Sequence, residues 1–93
     1  MASRKELKKD IEYLVFDLVA DCYTCIDENP DKDFSGYEKI INDVIELQDS
    51  LLSRINQYDS KSEENSRLYF QNIKVDLAEG LKRGYQSLEK LGK

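Results

Sequence analysis

Histidine and tryptophan are missing from these 93 residues, proline occurs once, cysteine twice and glycine four times. Without histidine the chain lacks the side chain most used for proton transfer near neutral pH and for zinc binding. The four glycines are dispersed and form no phosphate-cradling loop, and no nucleophile stands beside a recognisable base. No run of about 18 uncharged apolar residues occurs, so no membrane span is expected. Scarce proline and glycine, with abundant Leu, Ile, Lys and Glu, predict an all-α chain rather than a sandwich of short strands.

What is present fits one domain. A chain with 40% hydrophobic and 35% charged residues and this length buries roughly 60 to 65% of its unfolded surface, enough for one modest core. The net charge of −5 is uneven: residues 1–9 sum to +3, residues 10–64 to −11 and residues 65–93 to +3. Such asymmetry predicts internal pairing, and the acidic balance argues against nucleic acid as a partner, since phosphate binding relies on Lys and Arg. Arg4, Lys5, Lys8 and Lys9 ahead of Leu14, Val15 and Phe16 mimic a signal peptide, but Asp10, Glu12, Asp17 and Asp21 interrupt every apolar stretch. Two cysteines form no disulfide framework and fit a reducing compartment, so the expected location is cytoplasmic.

Spacing predicts helices over about 3–28, 36–58 and 62–91, a single helical domain across 1–93. Ser3 with Glu6 has capping-box spacing. Leu7, Ile11, Leu14, Leu18, Cys22 and Cys25 then recur at threes and fours, widened by Val15, Val19 and Ile26, until Asn29 and Pro30 turn the chain. The polar remainder of this helix is one seam at Asp10, Asp17, Asp21, Thr24 and Glu28. Ser35 and Glu38 form a second capping box, followed by the seam Tyr37, Ile41, Val44, Gln48, Leu51, Ile55 and Tyr58, flanked by Ile40, Ile45, Leu47 and Leu52. After the polar joint 59–66, with Ser60 and Glu63 as cap pair, Tyr69, Phe70, Ile73, Leu77, Leu81, Gly84, Leu88 and Leu91 line a third buried face. Gly92 is expected to end that helix in a left-handed conformation. Short joints imply an up-down-up three-helix bundle, in which Asp27, Glu28, Asp31 and Asp33 lie near Lys82, Arg83, Lys90 and Lys93.

Several groups of residues have both a chemical and a structural reading. Cys22-Tyr23-Thr24-Cys25 has redox or zinc spacing, yet the thiols sit near a helix C-terminus among carboxylates, where thiolate is disfavoured, and structural zinc wants four ligands. Core packing is the expected role, with a metal or ligand held by Cys22 and Cys25 across a dimer as the alternative. Asp31 to Gly36 matches the first half of a calcium loop, but loop position twelve holds Asn42 in place of glutamate, so a solvated turn is expected. Arg4, Lys5, Lys8 and Lys9 could mark an anionic partner, and Glu63 and Glu64 could offset them instead, giving a solvated face. Gly80 and Gly84, one turn apart inside a helix, either admit a ring from Tyr13, Phe16 or Tyr23 or are tolerated near a fraying end. Asp10, Asp17 and Asp21 align on one face, the ordinary state of solvated carboxylates.

The opening Arg4-Lys5, Leu7-Lys8-Lys9, Ile11, Tyr13-Leu14, Asp17-Leu18, Ala20-Asp21-Cys22 resembles the start of a family of short, uncharacterised bacterial helical proteins. The likeness covers the first helix, and Cys25 is not part of the family pattern. It implies a bacterial cytoplasmic setting and lends no activity.

A three-helix bundle covers Leu7, Ile11, Leu14 and Leu18 but leaves Tyr13, Phe16, Val19, Ala20 and Tyr23 partly outside. Contiguous apolar surface on a helix marks an interface more often than not, and two-fold pairing of identical chains is its commonest form. The expectation is a non-enzymatic interaction module, an adaptor or regulator, that needs no cofactor or metal, forms a homodimer through these residues and binds a further protein.

Overall fold

The computed structural model describes residues 4–29, 33–58 and 65–92, and among them all regular structure is helical. Helix α1 spans Arg4–Glu28, α2 Ser35–Gln57 and α3 Ser66–Gly92. Their order in space follows from cross-helix contacts. The Arg4 guanidinium lies over Tyr58 and Phe70, which sets the start of α1 beside the end of α2 and the start of α3. At the opposite end the Tyr37 hydroxyl donates to the Leu91 carbonyl, 3.4 Å away. The chain therefore runs up, down and up as an elongated bundle of 54 × 18 × 18 Å.

A bundle one helix thick can bury only the inward stripe of each helix. On α1 that stripe is Leu7, Ile11, Val15, Leu18 and Cys22, and on α2 it is Tyr37, Ile40, Ile41, Val44, Leu51 and Ile55. Ile73, Leu77 and Leu88 complete the core from α3. Leu14, expected inside, is 42% exposed, while its neighbour Val15 is 3% exposed. The reason is angular: at 100° per residue Leu14 stands closer to the Asp10, Asp17 and Asp21 seam than to the centre of the apolar stripe. Ile45 likewise emerges at 40%.

Polar groups at the helix ends show where the chain stops and restarts. Asn29 closes α1, its backbone N–H reaching the Ile26 carbonyl at 3.2 Å and its side-chain amide the Cys25 carbonyl at 2.9 Å. At α2 the boundary residue is Phe34, whose side chain makes no cap, and the carboxylate that receives the first turn is that of Asp33, with Ser35 a donor and not the cap. The Ser35 N–H and hydroxyl both donate to the Asp33 carboxylate, each at 3.0 Å, and Ser35 is already helical. At α3, Asn65 is non-helical and its side-chain oxygen accepts from the N–H groups of Arg67 at 2.9 Å and Leu68 at 3.4 Å, so the helix opens later than the expected 62. The proposed caps Ser3, Ser60 and Glu63 lie outside the described residues. Gly92 is the last helical residue of α3, and among the described residues no glycine has positive φ, so the left-handed ending is not adopted.

The glycines of α3 admit side chains from both other helices. A Cβ built on Gly80 would collide with the Leu47 side chain of α2, and one on Gly84 would lie 2.5 Å from a Leu18 methyl of α1. Close packing is thus the use of both glycines, but leucines rather than the aromatic rings of α1 fill the notches. The charge pattern also resolves differently from expectation. Among the described residues no ion pair joins Asp27, Glu28 or Asp33 to Lys82, Arg83 or Lys90, whereas Arg54 of α2 pairs with Asp76 of α3.

Candidate interaction surface

On the side of α1 opposite the core, Tyr13 is 72% exposed, Phe16 67% and Tyr23 55%. They stand directly outward and not at the bundle's edge, with half-buried Ala20 between them. Val19 behaves differently: it is half-buried and packs against the core, so it belongs to the flank of this surface. The steps from Tyr13 to Phe16, Ala20 and Tyr23 are three, four and three residues, and the same line continues by fours to exposed Lys9 and Asp27 at its two ends. Steps of four, three, four, three and four form a heptad seam, the spacing by which one helix packs along another. The chain therefore carries two seams on α1, one closed by α2 and α3 and one open. The notch of the open seam is Ala20 and its largest apolar projection is Phe16.

The polar seam of α1 turns toward α3. There the Tyr85 phenol is pushed above its ordinary value by burial first and by the carboxylates of Asp21 and Asp17 second. Those aspartates line a helix–helix flank beside a phenol, an arrangement that assembles no acid–base pair.

Cys22 is fully buried and Cys25 half-buried, and both are free thiols. Burial, then Cys25 and Asp21, push the Cys22 thiol up to about 11, so at neutral pH it is protonated and chemically quiet. Its sulfur packs within the chain's own core and has no open side toward a ligand from another molecule. Among the described residues no group of three or more metal-binding side chains gathers. In the calcium-like segment, Asp33 is engaged with Ser35, and Gly36 sits in the first turn of α2 against the Leu91 side chain. Asp31 lies outside the described residues.

An aromatic cluster at the lower end of the bundle was hidden in the sequence. Tyr58 lies 4.9 Å from Tyr69 and 5.1 Å from Phe70, ring centre to ring centre, with Tyr69 and Phe70 edge-on at 5.6 Å. The Arg4 guanidinium caps it, 5.1 Å from the Tyr58 ring and 5.9 Å from that of Phe70. Arg4 is therefore used inside the fold as a cation–π lid and is lost to the basic cluster expected at the N-terminus. Glu63 and Glu64 lie outside the described residues. A shallow groove of about 250 Å³ runs between α2 and α3, but the Arg54–Asp76 pair and the Leu47 side chain occupy its walls.

No helix among the described residues is long and apolar enough to cross a membrane. The chain matches no family model, no curated protein and no solved structure.

Proposed function

We propose that this chain is a non-enzymatic helical interaction module, an adaptor or regulator, that associates with a second copy of itself through the outward face of α1. The observation that carries this reading is the row of open rings at Tyr13, Phe16 and Tyr23, more than half exposed on the side away from the core. Tyrosine tolerates water through its hydroxyl, but Phe16 has no such outlet, and an open apolar seam is the usual mark of a contact surface. The magnitude points to a modest affinity. Two such faces offer on the order of several hundred Å² of apolar area, worth about 10 kcal/mol gross at ~25 cal/mol per Å². Association itself costs on the order of 4 to 15 kcal/mol, so the surplus is at most about 6 kcal/mol, a dimer with a dissociation constant of roughly tens of micromolar at the tightest.

Sedimentation across low to high micromolar concentrations tests this directly: a concentration-dependent shift toward dimer is expected. Phe16→Glu should abolish that shift while leaving thermal unfolding nearly unchanged, because the ring makes no core contact. A wild-type chain that stays monomeric at high micromolar concentration ends the proposal. A metal or ligand site built from Cys22 and Cys25 across a dimer gains no support from this arrangement, since the buried Cys22 sulfur faces its own core.

A further inference from the structure

Resting on that dimer reading, we infer that the two α1 helices meet antiparallel about a two-fold axis level with residue 18. The seam residues come in pairs equally distant from that level. Tyr13 and Tyr23 are five residues either side of it, Phe16 and Ala20 two, and Lys9 and Asp27 nine. Antiparallel pairing therefore sets Phe16 of each protomer on Ala20 of the other, the bulkiest apolar side chain against the smallest of the seam. It stacks Tyr13 against the second copy's Tyr23, and it closes both ends of the contact with a Lys9–Asp27 pair. With a rise of about 1.5 Å per residue, the two charge pairs stand roughly 27 Å apart and bracket the apolar stretch.

Parallel pairing of the same seam does the reverse. Lys9 would face Lys9 and Asp27 would face Asp27, and the two Ala20 residues would leave a gap beside two colliding phenylalanines. Like charges opposed at both ends select against that arrangement. The occupant is a second copy of α1 rather than an unrelated helix because the seam is complementary to its own reversal in size and in charge. Within the protomer, Lys9 and Asp27 are exposed and, among the described residues, neither takes part in an ion pair. Both are thus available to the second copy.

A charge-reversal cycle read by sedimentation tests the register. Lys9→Glu and Asp27→Lys should each weaken the dimer roughly five- to tenfold at low salt, because symmetry applies each change twice. The double variant should return to within about twofold of the wild type, since each end again carries opposite charges. Both single changes suit the helix macrodipole better than the native residues, so protomer unfolding is not a route to weaker association. The losses should shrink as ionic strength rises. A dimer whose single variants are weakened and whose double variant is not restored overturns the antiparallel register while leaving the dimer intact. Single variants that associate as tightly as the wild type overturn it as well. A wild-type monomer removes both the register and the proposed function.

Discussion

Leu18, fully buried on α1, fills the notch that Gly84 leaves in α3, and a Cβ at that position would come within 2.5 Å of its methyl group. This contact draws α1 and α3 together where neither has room for a further methyl. Leu47 and Gly80 form the corresponding contact between α2 and α3, but with a difference. Leu47 is only half-buried and can swing outward, whereas Leu18 is enclosed on all sides.

The two glycines should consequently respond in opposite ways to the same change. Alanine at either position gains about 1 kcal/mol of helix propensity. In Gly84→Ala the forced displacement of Leu18 costs about 1 to 3 kcal/mol and prevails, so the variant should be less stable than the wild type by up to about 2 kcal/mol. In Gly80→Ala the Leu47 side chain yields, and stability should hold or rise. Urea unfolding of both variants checks this; equal shifts of the same sign would refute it.

Tyr69 should be worth more than its ring. Its hydroxyl donates to the Arg54 carbonyl at 2.6 Å, in the last turn of α2, where carbonyls lack intrahelical partners. Tyr69→Phe keeps the contacts with Tyr58 and Phe70 and removes that bond, so a loss of about 0.5 to 1.5 kcal/mol is expected in chemical unfolding. An unchanged midpoint would mean that water replaces the hydroxyl without cost.

Helical periodicity made the class, the number of helices and their antiparallel joints legible, because apolar spacing reports burial directly. It distinguished poorly between adjacent candidates at a stripe's edge: Leu14 and Val15 are both apolar, and only the orientation of α1 against two neighbours decides that Val15 goes inside. The start of α2 differs from its spacing for a similar reason. Ser35 has correct capping-box spacing with Glu38, yet Asp33 two residues earlier is the stronger acceptor and takes both Ser35 donors. The glycine notches were readable as close approach, but which side chain enters depends on helix register that no local pattern encodes. The outward rings of α1 were legible as surplus. Their continuation to Lys9 and Asp27 was present in the spacing and became visible only once the opposite face was known to be closed.

Asp33 gives α2 an acid-sensitive start. Hydrogen bonds from the Ser35 N–H and hydroxyl hold its carboxyl below the usual carboxylate range. A depressed folded-state value means that the contact stabilises above the unfolded value near 4 and is lost as pH falls through the lower, folded one. Amide exchange in the first turn of α2 should therefore quicken relative to the rest of the helix below about pH 4. Asp33→Ala should reproduce that local quickening at neutral pH, and Ser35→Ala should do so less, since the backbone N–H bond survives. Equal protection in all three proteins would show that this contact contributes nothing.

The paired cysteines should separate cleanly by chemistry. Cys25, half-buried, should react with a thiol reagent at pH 8, while Cys22 should react only on the timescale of unfolding, because burial keeps it protonated and out of reach. A folded-state value raised to about 11 from the ordinary thiol value of 9.0 also fixes the sign of the pH dependence. The unfolded chain releases the Cys22 proton first, so this group's contribution is fully present below about pH 9 and declines as pH climbs toward 11. Alkaline unfolding should accordingly shift to higher pH in Cys22→Ala, at the expense of stability near neutrality, where the missing sulfur leaves a small void. Two thiols that react equally fast in the native protein would place Cys22 outside the core and return it to the roster of available ligands.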